Sequence, residues 1–203
     1  MKIFLVRHGE TDWNRAHKLQ GREDIPLNTN GIRQGKLCGQ ALESVHFSGA
    51  FSSPLQRAVR TAELILEAGK EKHGDVPELR ILEELTERDF GSAAGTDYSG
   101  RNVFAEFPRD DDAEALSDVR KRMVGAVIKA ARLAGEAGAP EDGNILILSH
   151  GAAITQVLCH LGAPAGFKLI NLSINVLEYK DGVLSLVDRN VSPESILQNA
   201  YKI

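Results

Sequence analysis

The segment LVRHGETDWN at residues 5–14 sets Arg7 and His8 directly before Gly9, at the end of the apolar run Ile3-Phe4-Leu5-Val6. An imidazole nitrogen that carries no proton can attack phosphorus and hold the phosphoryl group covalently. The other ring nitrogen must then be fixed as a donor, often to a backbone carbonyl, and a tight turn at Gly9 brings carbonyls close. Phosphoryl transfer also needs positive charge around the equatorial oxygens, because its catalysis is mostly positioning and electrostatics. Arg7 and Arg57 have forked donors suited to that task. Arg60, one turn after Arg57, is a rival. His150 in LSHGAAI offers a further donor, and the start of the helix that follows it, at Gly151 and Ala152, adds N–H groups and a favourable dipole. The leaving alkoxide needs a carboxylic acid nearby. The stretch LEELTERDFG at 82–91 supplies Glu83, Glu84 and Glu87, and spacing alone does not choose among them.

These groups are far apart in the chain, so the elements that carry them must bring them together. Ile3–Val6 and Ile145–Leu148 are short, continuous apolar runs of the kind expected for strands buried on both faces, and each ends in a histidine followed by glycine. Gly49–Ser52 reads as a third strand. Ser53 and Pro54 then offer a cap and a first-turn proline for a helix over about 54–68, with Leu55, Ala58, Val59, Ala62, Ile65 and Leu66 at helical spacing. Further helices are expected over 30–43, where Gly31, Gly35 and Gly39 weaken the pattern, and over about 113–134. Leu79–Leu82 fits another strand, and 172–178 and 183–187 flank Lys180-Asp181-Gly182 as a hairpin. The polar stretch 92–112, with aspartates at 110–112, is expected to be a lid or specificity loop.

Strands alternating with helices predict an α/β fold, a three-layer α/β/α sandwich with a mostly parallel mixed sheet, as a single domain over 1–203. Ligands of such sheets bind outside the carboxyl ends of the strands, where Arg7, His8, Ser53 and His150 all fall. The formal net charge of -4 argues against a field that recruits nucleic acid or anionic lipid. Cys38 and Cys159 form no CxxC pair and read as reduced thiols. No signal peptide, 18-residue apolar stretch or lipidation signal is visible, so a cytoplasmic protein is expected. The remaining histidines, His17, His46, His73 and His160, show no metal-ligand spacing and read as ordinary surface or core residues. No metal and no cofactor is expected, the arginines and histidine already supplying positive charge. The oligomeric state is open, with a homodimer one option.

The chain resembles the histidine phosphatase superfamily, in the branch that includes the cofactor-dependent phosphoglycerate mutases. The match runs in order through RHGETDWN (7–14), LQGREDIPLNTNG (19–31), FSSPLQRAVRTA (51–62), LTERDFG (85–91) and LSHGAAI (148–154). The resemblance implies a phosphoglycerate mutase-like fold, phosphorylation of His8, and a clamp on the phosphoryl group made by Arg7, Arg57 and His150 with Asn14 in contact. It implies Glu87 as the acid, from its place four residues before Gly91, and Gln20 and Gly21 as substrate contacts. Two departures fall in the expected lid: Ala93-Ala94-Gly95 where many members have Trp-Glu-Gly, and Ala113-Glu114-Ala115 in place of Gly-Glu-Ser. The stretch after Gly95 is short beside that of family mutases, whose insertion shields the intermediate from water. The expected activity is therefore hydrolysis of a small phosphomonoester, with a mutase as the alternative and a phosphate-recognising module without turnover as the less favoured one.

Overall fold

The computed structural model describes residues 1–99, 112–164 and 166–199. Its strands are β1 (Lys2–Arg7), β2 (Phe47–Ser52), β3 (Leu79–Ile81), β4 (Asn144–Ser149), β5 (Ile174–Lys180) and β6 (Val183–Val191). Its helices are α1 (Asp12–Arg15), α2 (Thr29–Leu42), α3 (Gln56–His73), α4 (Leu116–Glu136), α5 (Gly151–His160) and α6 (Pro193–Leu197). One mixed sheet has the order β3-β2-β4-β1-β5-β6, in which the first four strands run parallel, β5 pairs antiparallel with β1, and β6 pairs antiparallel with β5.

The apolar runs form strands because each must supply two cores at once. Side chains alternate across a strand. Ile3 and Leu5 of β1, with Ile145 and Ile147 of β4, therefore enter the core under α4 and α5. Phe4, Val6, Leu146 and Leu148 enter the opposite core, with Cys38 and Leu42 of α2 and Ala58, Ala62 and Ile65 of α3. Burial of each of the large aliphatic and aromatic side chains among them stabilises by about 1.5–3 kcal/mol. The result is the expected three-layer α/β sandwich.

The glycines that weaken α2 as a helix on propensity are its packing face. A Cβ at Gly35 would lie 2.7 Å from Leu64 Cδ1, one at Gly39 2.9 Å from the Leu64 carbonyl, and one at Gly31 2.1 Å from the Glu10 carbonyl. Tight approach to α3 and to the loop after β1 thus outweighs the helix-propensity cost of glycine. The hairpin between β5 and β6 turns on Asp181 and Gly182, both at positive φ (51° and 79°), as a type I′ turn requires.

Three boundaries differ from expectation. The helix expected over 54–68 begins at Gln56, with Leu55 as an N-cap that makes no side-chain capping bond. Ser53 lies ahead of the N-cap, and its hydroxyl accepts from Leu55 N (3.3 Å) while facing His150 Nε2 at 2.7 Å. The same helix runs on to His73 and stops at Gly74, in the left-handed region. The helix expected from 113 starts at Leu116, since the Glu114 side chain is drawn into ion pairing with Arg122. Of the expected lid, residues 100–111 lie outside the described residues, including Asp110 and Asp111. Asp112 is not merely solvated: its carboxylate accepts from Ser92 N (2.8 Å) and Ser92 Oγ (3.2 Å). Among the described residues no helix is long and apolar enough to cross a membrane.

Candidate active site

The candidate site forms where three neighbouring parallel strands end. Parallel pairing sets Arg7 beside Ser149 and Ser52 beside Leu148, so Arg7-His8, Ser53 and His150 emerge side by side. A cavity of about 420 Å³ opens there, and Arg7, His8, Asn14, Gln20, Gly21, Arg57, Glu87, Gly151 and Ala152 all line it. His150 does not line the cavity. It is fully buried with its ring centroid 5.1 Å from that of His8.

His8 is held in one orientation. Its Nδ1 lies 2.7 Å from the Gly9 carbonyl, which can only accept, so Nδ1 carries the proton and Nε2 is left with its lone pair. The Gly9 N–H donates to Thr61 Oγ1 (3.1 Å), and Thr61 Oγ1 donates to the Arg57 carbonyl (2.7 Å). Asn171 Nδ2 donates to the His8 carbonyl (3.0 Å). Burial pushes the His8 imidazole well below its ordinary pKa, Arg57 and Arg7 push it further, and the Gly9 carbonyl opposes them. Burial also holds His150 well below its ordinary value, with Arg57, His8 and Arg7 adding to the effect. The neutral form of His8, the form able to attack phosphorus, is the one the site favours.

The two arginines are aimed by backbone carbonyls. Arg57 Nη1 donates to Glu23 O (2.6 Å) and Nη2 to Gly21 O (2.8 Å), while Arg7 Nη1 donates to Leu169 O (2.5 Å). Burial lowers the pKa of Arg57 to about 10, Glu87 and Asp24 acting against it, which leaves it a cation at neutral pH. Among the described residues, Arg7 Nε, Arg57 Nε and His150 Nδ1 are buried without a hydrogen-bond partner. Buried polar groups without partners are costly and rare, and here the orphaned nitrogens belong to three residues predicted from sequence to bind phosphate.

Of the three candidate carboxylates, only Glu87 reaches the cavity. Glu83 is exposed, and Glu84 pairs with Lys129 at 2.7 Å on the surface. Glu87 Oε1 accepts from Arg88 N and Ala153 N (both 2.9 Å), and Oε2 accepts from Ala152 N (3.1 Å). The Ala152 N–H, expected to face phosphate, is therefore engaged by Glu87. Arg60 is equally excluded, since it pairs with Glu63 (2.8 Å) and Glu67 (2.9 Å) at the surface.

Asn14 has two uses. Its Oδ1 completes a capping box with Thr11 at the start of α1, while the residue also lines the cavity. Gln20 Oε1 accepts from Thr11 Oγ1 (3.0 Å). Gly21 serves through its backbone: it sits at φ 52° and its carbonyl aims Arg57. His17, read from sequence as an ordinary histidine, lines the rim with Lys18, Tyr98 and Lys168. Sequence reasoning missed Thr61, Asn171 and these rim residues. Thr61 had a weak signal in lying one helical turn after Arg57. Asn171 had none, being 163 residues from the carbonyl it holds.

A sequence profile of the histidine phosphatase superfamily (branch 1) matches residues 3–192. The chain is 33% identical over 196 residues to the uncharacterized phosphatase PhoE of Bacillus subtilis (strain 168), covering 94% of each chain. It is 34% identical over 200 residues to the probable phosphoglycerate mutase GpmB of Serratia proteamaculans (strain 568), covering 95% of this chain and 87% of that one. Among solved structures it is similar to the phosphoserine phosphatase of Entamoeba histolytica in complex with 3-phosphoglyceric acid, with a TM-score of 0.74 and 28% identity over 94% of this chain and 97% of that one. A phosphoglycerate mutase from Bacillus anthracis str. Sterne shares the fold, with a TM-score of 0.82 at 23% identity over 99% and 97% of the two chains.

Proposed function

We propose that this chain, which belongs to the histidine phosphatase superfamily, is a phosphomonoester hydrolase that acts through a phosphohistidine at His8. The observation that carries the reading is the fixed imidazole. Its Nδ1 is tied to the Gly9 carbonyl, which leaves the lone pair on Nε2, beside two arginines that, among the described residues, each keep a buried, unpartnered Nε. In the first step Nε2 attacks phosphorus in line as the ester P–O bond breaks. Arg7 and Arg57 take up charge on the equatorial oxygens, His150 and Asn14 add neutral donors, and Glu87 gives a proton to the leaving oxygen. Glu87, now a carboxylate, then removes a proton from water as the water attacks phosphorus. The N–P bond breaks and inorganic phosphate leaves.

Gln20, Gly21 and Gly151 complete the substrate contacts, with Ala152 holding Glu87 instead, residues 1–203 form one domain, and 92–112 act as the lid. The substrate is a small phosphorylated metabolite. The second reading, a phosphoglycerate mutase, is favoured by the relatives of that name. The short stretch of sequence between Gly95 and α4 speaks for hydrolysis, because without a long insertion there the intermediate lacks a shield from water. A phosphometabolite panel scored as relative kcat/KM, with release of inorganic phosphate measured beside interconversion of 2- and 3-phosphoglycerate, decides between them. Efficient interconversion with little phosphate released from any monoester would overturn the hydrolase reading. His8→Ala is expected to abolish turnover and acid-labile phosphate labelling while keeping the fold, which also excludes a binding module without turnover.

A further inference from the structure

Arg122 lies on α4, away from the cavity, yet every N–H of its guanidinium is used. Nε and Nη2 grip Glu114 Oε1 (2.6 Å) and Oε2 (2.8 Å) as a two-pronged pair. The other donors go to three backbone carbonyls of a single short segment: Nη1 to Glu84 O (2.9 Å) and Thr86 O (2.6 Å), and Nη2 to Glu87 O (3.0 Å). Glu114 ties the far end of the same segment, its Oε2 accepting from Asp89 N (3.2 Å) and its carbonyl from Arg88 Nε (2.8 Å). Only 19% of the Arg122 side chain and 14% of the Glu114 side chain remain exposed. Surface ion pairs are weak, but a two-pronged, mostly buried pair holds a fixed geometry. A lysine has three donors and cannot reproduce five.

We infer that the Arg122–Glu114 pair is a positioning device for Glu87, clamping the 84–89 backbone to α4 so that the Glu87 carboxyl stands over the scissile oxygen beside His8. The segment has no strand ladder of its own, and a short 3₁₀ turn at Glu83–Leu85 is its only regular structure. Leu85, just before this stretch, is anchored in the core and by Ser149 Oγ donating to its carbonyl (2.8 Å), but beyond it, without the clamp, the Glu87 carboxyl is held by the amides of Arg88, Ala152 and Ala153. Proton transfer depends on distance at the sub-ångström level, and a displacement of about 1 Å costs on the order of 100-fold. Arg122 does not line the cavity, and its five hydrogen bonds act on the reaction through the placement of Glu87.

The inference rests on the hydrolase reading, and the test separates the two. Formation of acid-labile phosphohistidine is followed in single turnovers with the alkyl phosphate that the metabolite panel ranks first and with p-nitrophenyl phosphate, whose leaving group departs without protonation. Arg122→Gln is expected to slow labelling from the alkyl ester about 100-fold and from the aryl ester by less than about threefold. Arg122→Lys is expected to show the same selectivity with a smaller loss. Glu114→Gln, nearly isosteric, carries the same comparison should Arg122→Gln not fold. Equal losses with both esters, or no loss with either, overturn the positioning role while leaving the hydrolase reading intact. Absence of phosphohistidine from the wild-type protein with both esters overturns both.

Discussion

At the scale of single residues, the site depends on neutral imidazoles held among cations. His8 and His150 both lie well below their ordinary pKa, so the folded protein refuses protons that the unfolded chain accepts below pH about 6.5. Stability therefore rises with pH through that region and is lost as pH falls below the unfolded value. Thermal melts between pH 7 and 5 should show a falling midpoint, and His150→Asn should flatten the fall; an unchanged slope in that variant would count against His150 as a source. For the same reason, His8 should add no inflection of its own near 6.5 to the acid limb of kcat/KM, beyond that from the second ionisation of the substrate phosphate at about pH 6. Arg57 makes a different demand. Two of its nitrogens are spent on carbonyls, so a point charge cannot both anchor and reach phosphate. Arg57→Lys should cost about 2 kcal/mol of transition-state binding, roughly 30-fold in kcat/KM, read in steady-state kinetics on any substrate turned over by the wild type.

Secondary-structure elements set the scale at which glycine matters. Gly9 and Gly31 face one another across the loop after β1, where a Cβ on Gly9 would come within 2.7 Å of the Gly31 carbonyl. Gly31→Ala forces its new methyl against the backbone of Glu10, next to Gly9, which is not a flexible side chain that can swing away. The substitution is expected to destabilise by about 1–3 kcal/mol in urea melts and to lower kcat by moving the Gly9 carbonyl that fixes His8. Gly138→Ala, whose Cβ would meet no other part of the described residues within 4 Å, should leave kcat unchanged and serves as the comparison; its own strain comes from φ 92°.

The whole molecule brings together ends of strands that are distant in sequence, and a ligand spanning them should report on all at once. Vanadate resembles phosphorus in its five-coordinate transition state and should bind where Arg7, Arg57 and His8 meet. At 100 times its dissociation constant, a ligand of the folded state adds about 2.7 kcal/mol, or roughly 5–10 °C in melting temperature for a chain of this size. Arg57→Ala should abolish most of that shift. A full shift in the variant would show that vanadate binds elsewhere.

The residues alone determined the buried strands, the two His-Gly strand ends and the Arg57 helix, because long apolar runs and helical periodicity are local patterns with one stable burial. They also placed the hairpin, since Asp181-Gly182 suits a turn that needs positive φ twice. Spacing did not separate Glu87 from Glu83 and Glu84, or Arg57 from Arg60, because which member of a charged cluster turns inward depends on what the surrounding elements leave open. Tertiary structure decided those choices: α3 buries Arg57 against the carbonyls of Gly21 and Glu23, and Arg122 of α4, paired with Glu114 ahead of that helix, draws the 84–89 segment inward. It also reassigned Ser53 from helix cap to partner of His150 and the Ala152 amide from phosphate to Glu87. Hydrogen bonds between residues tens of positions apart leave no local pattern to read, and only the packed sheet brings such partners within 3 Å.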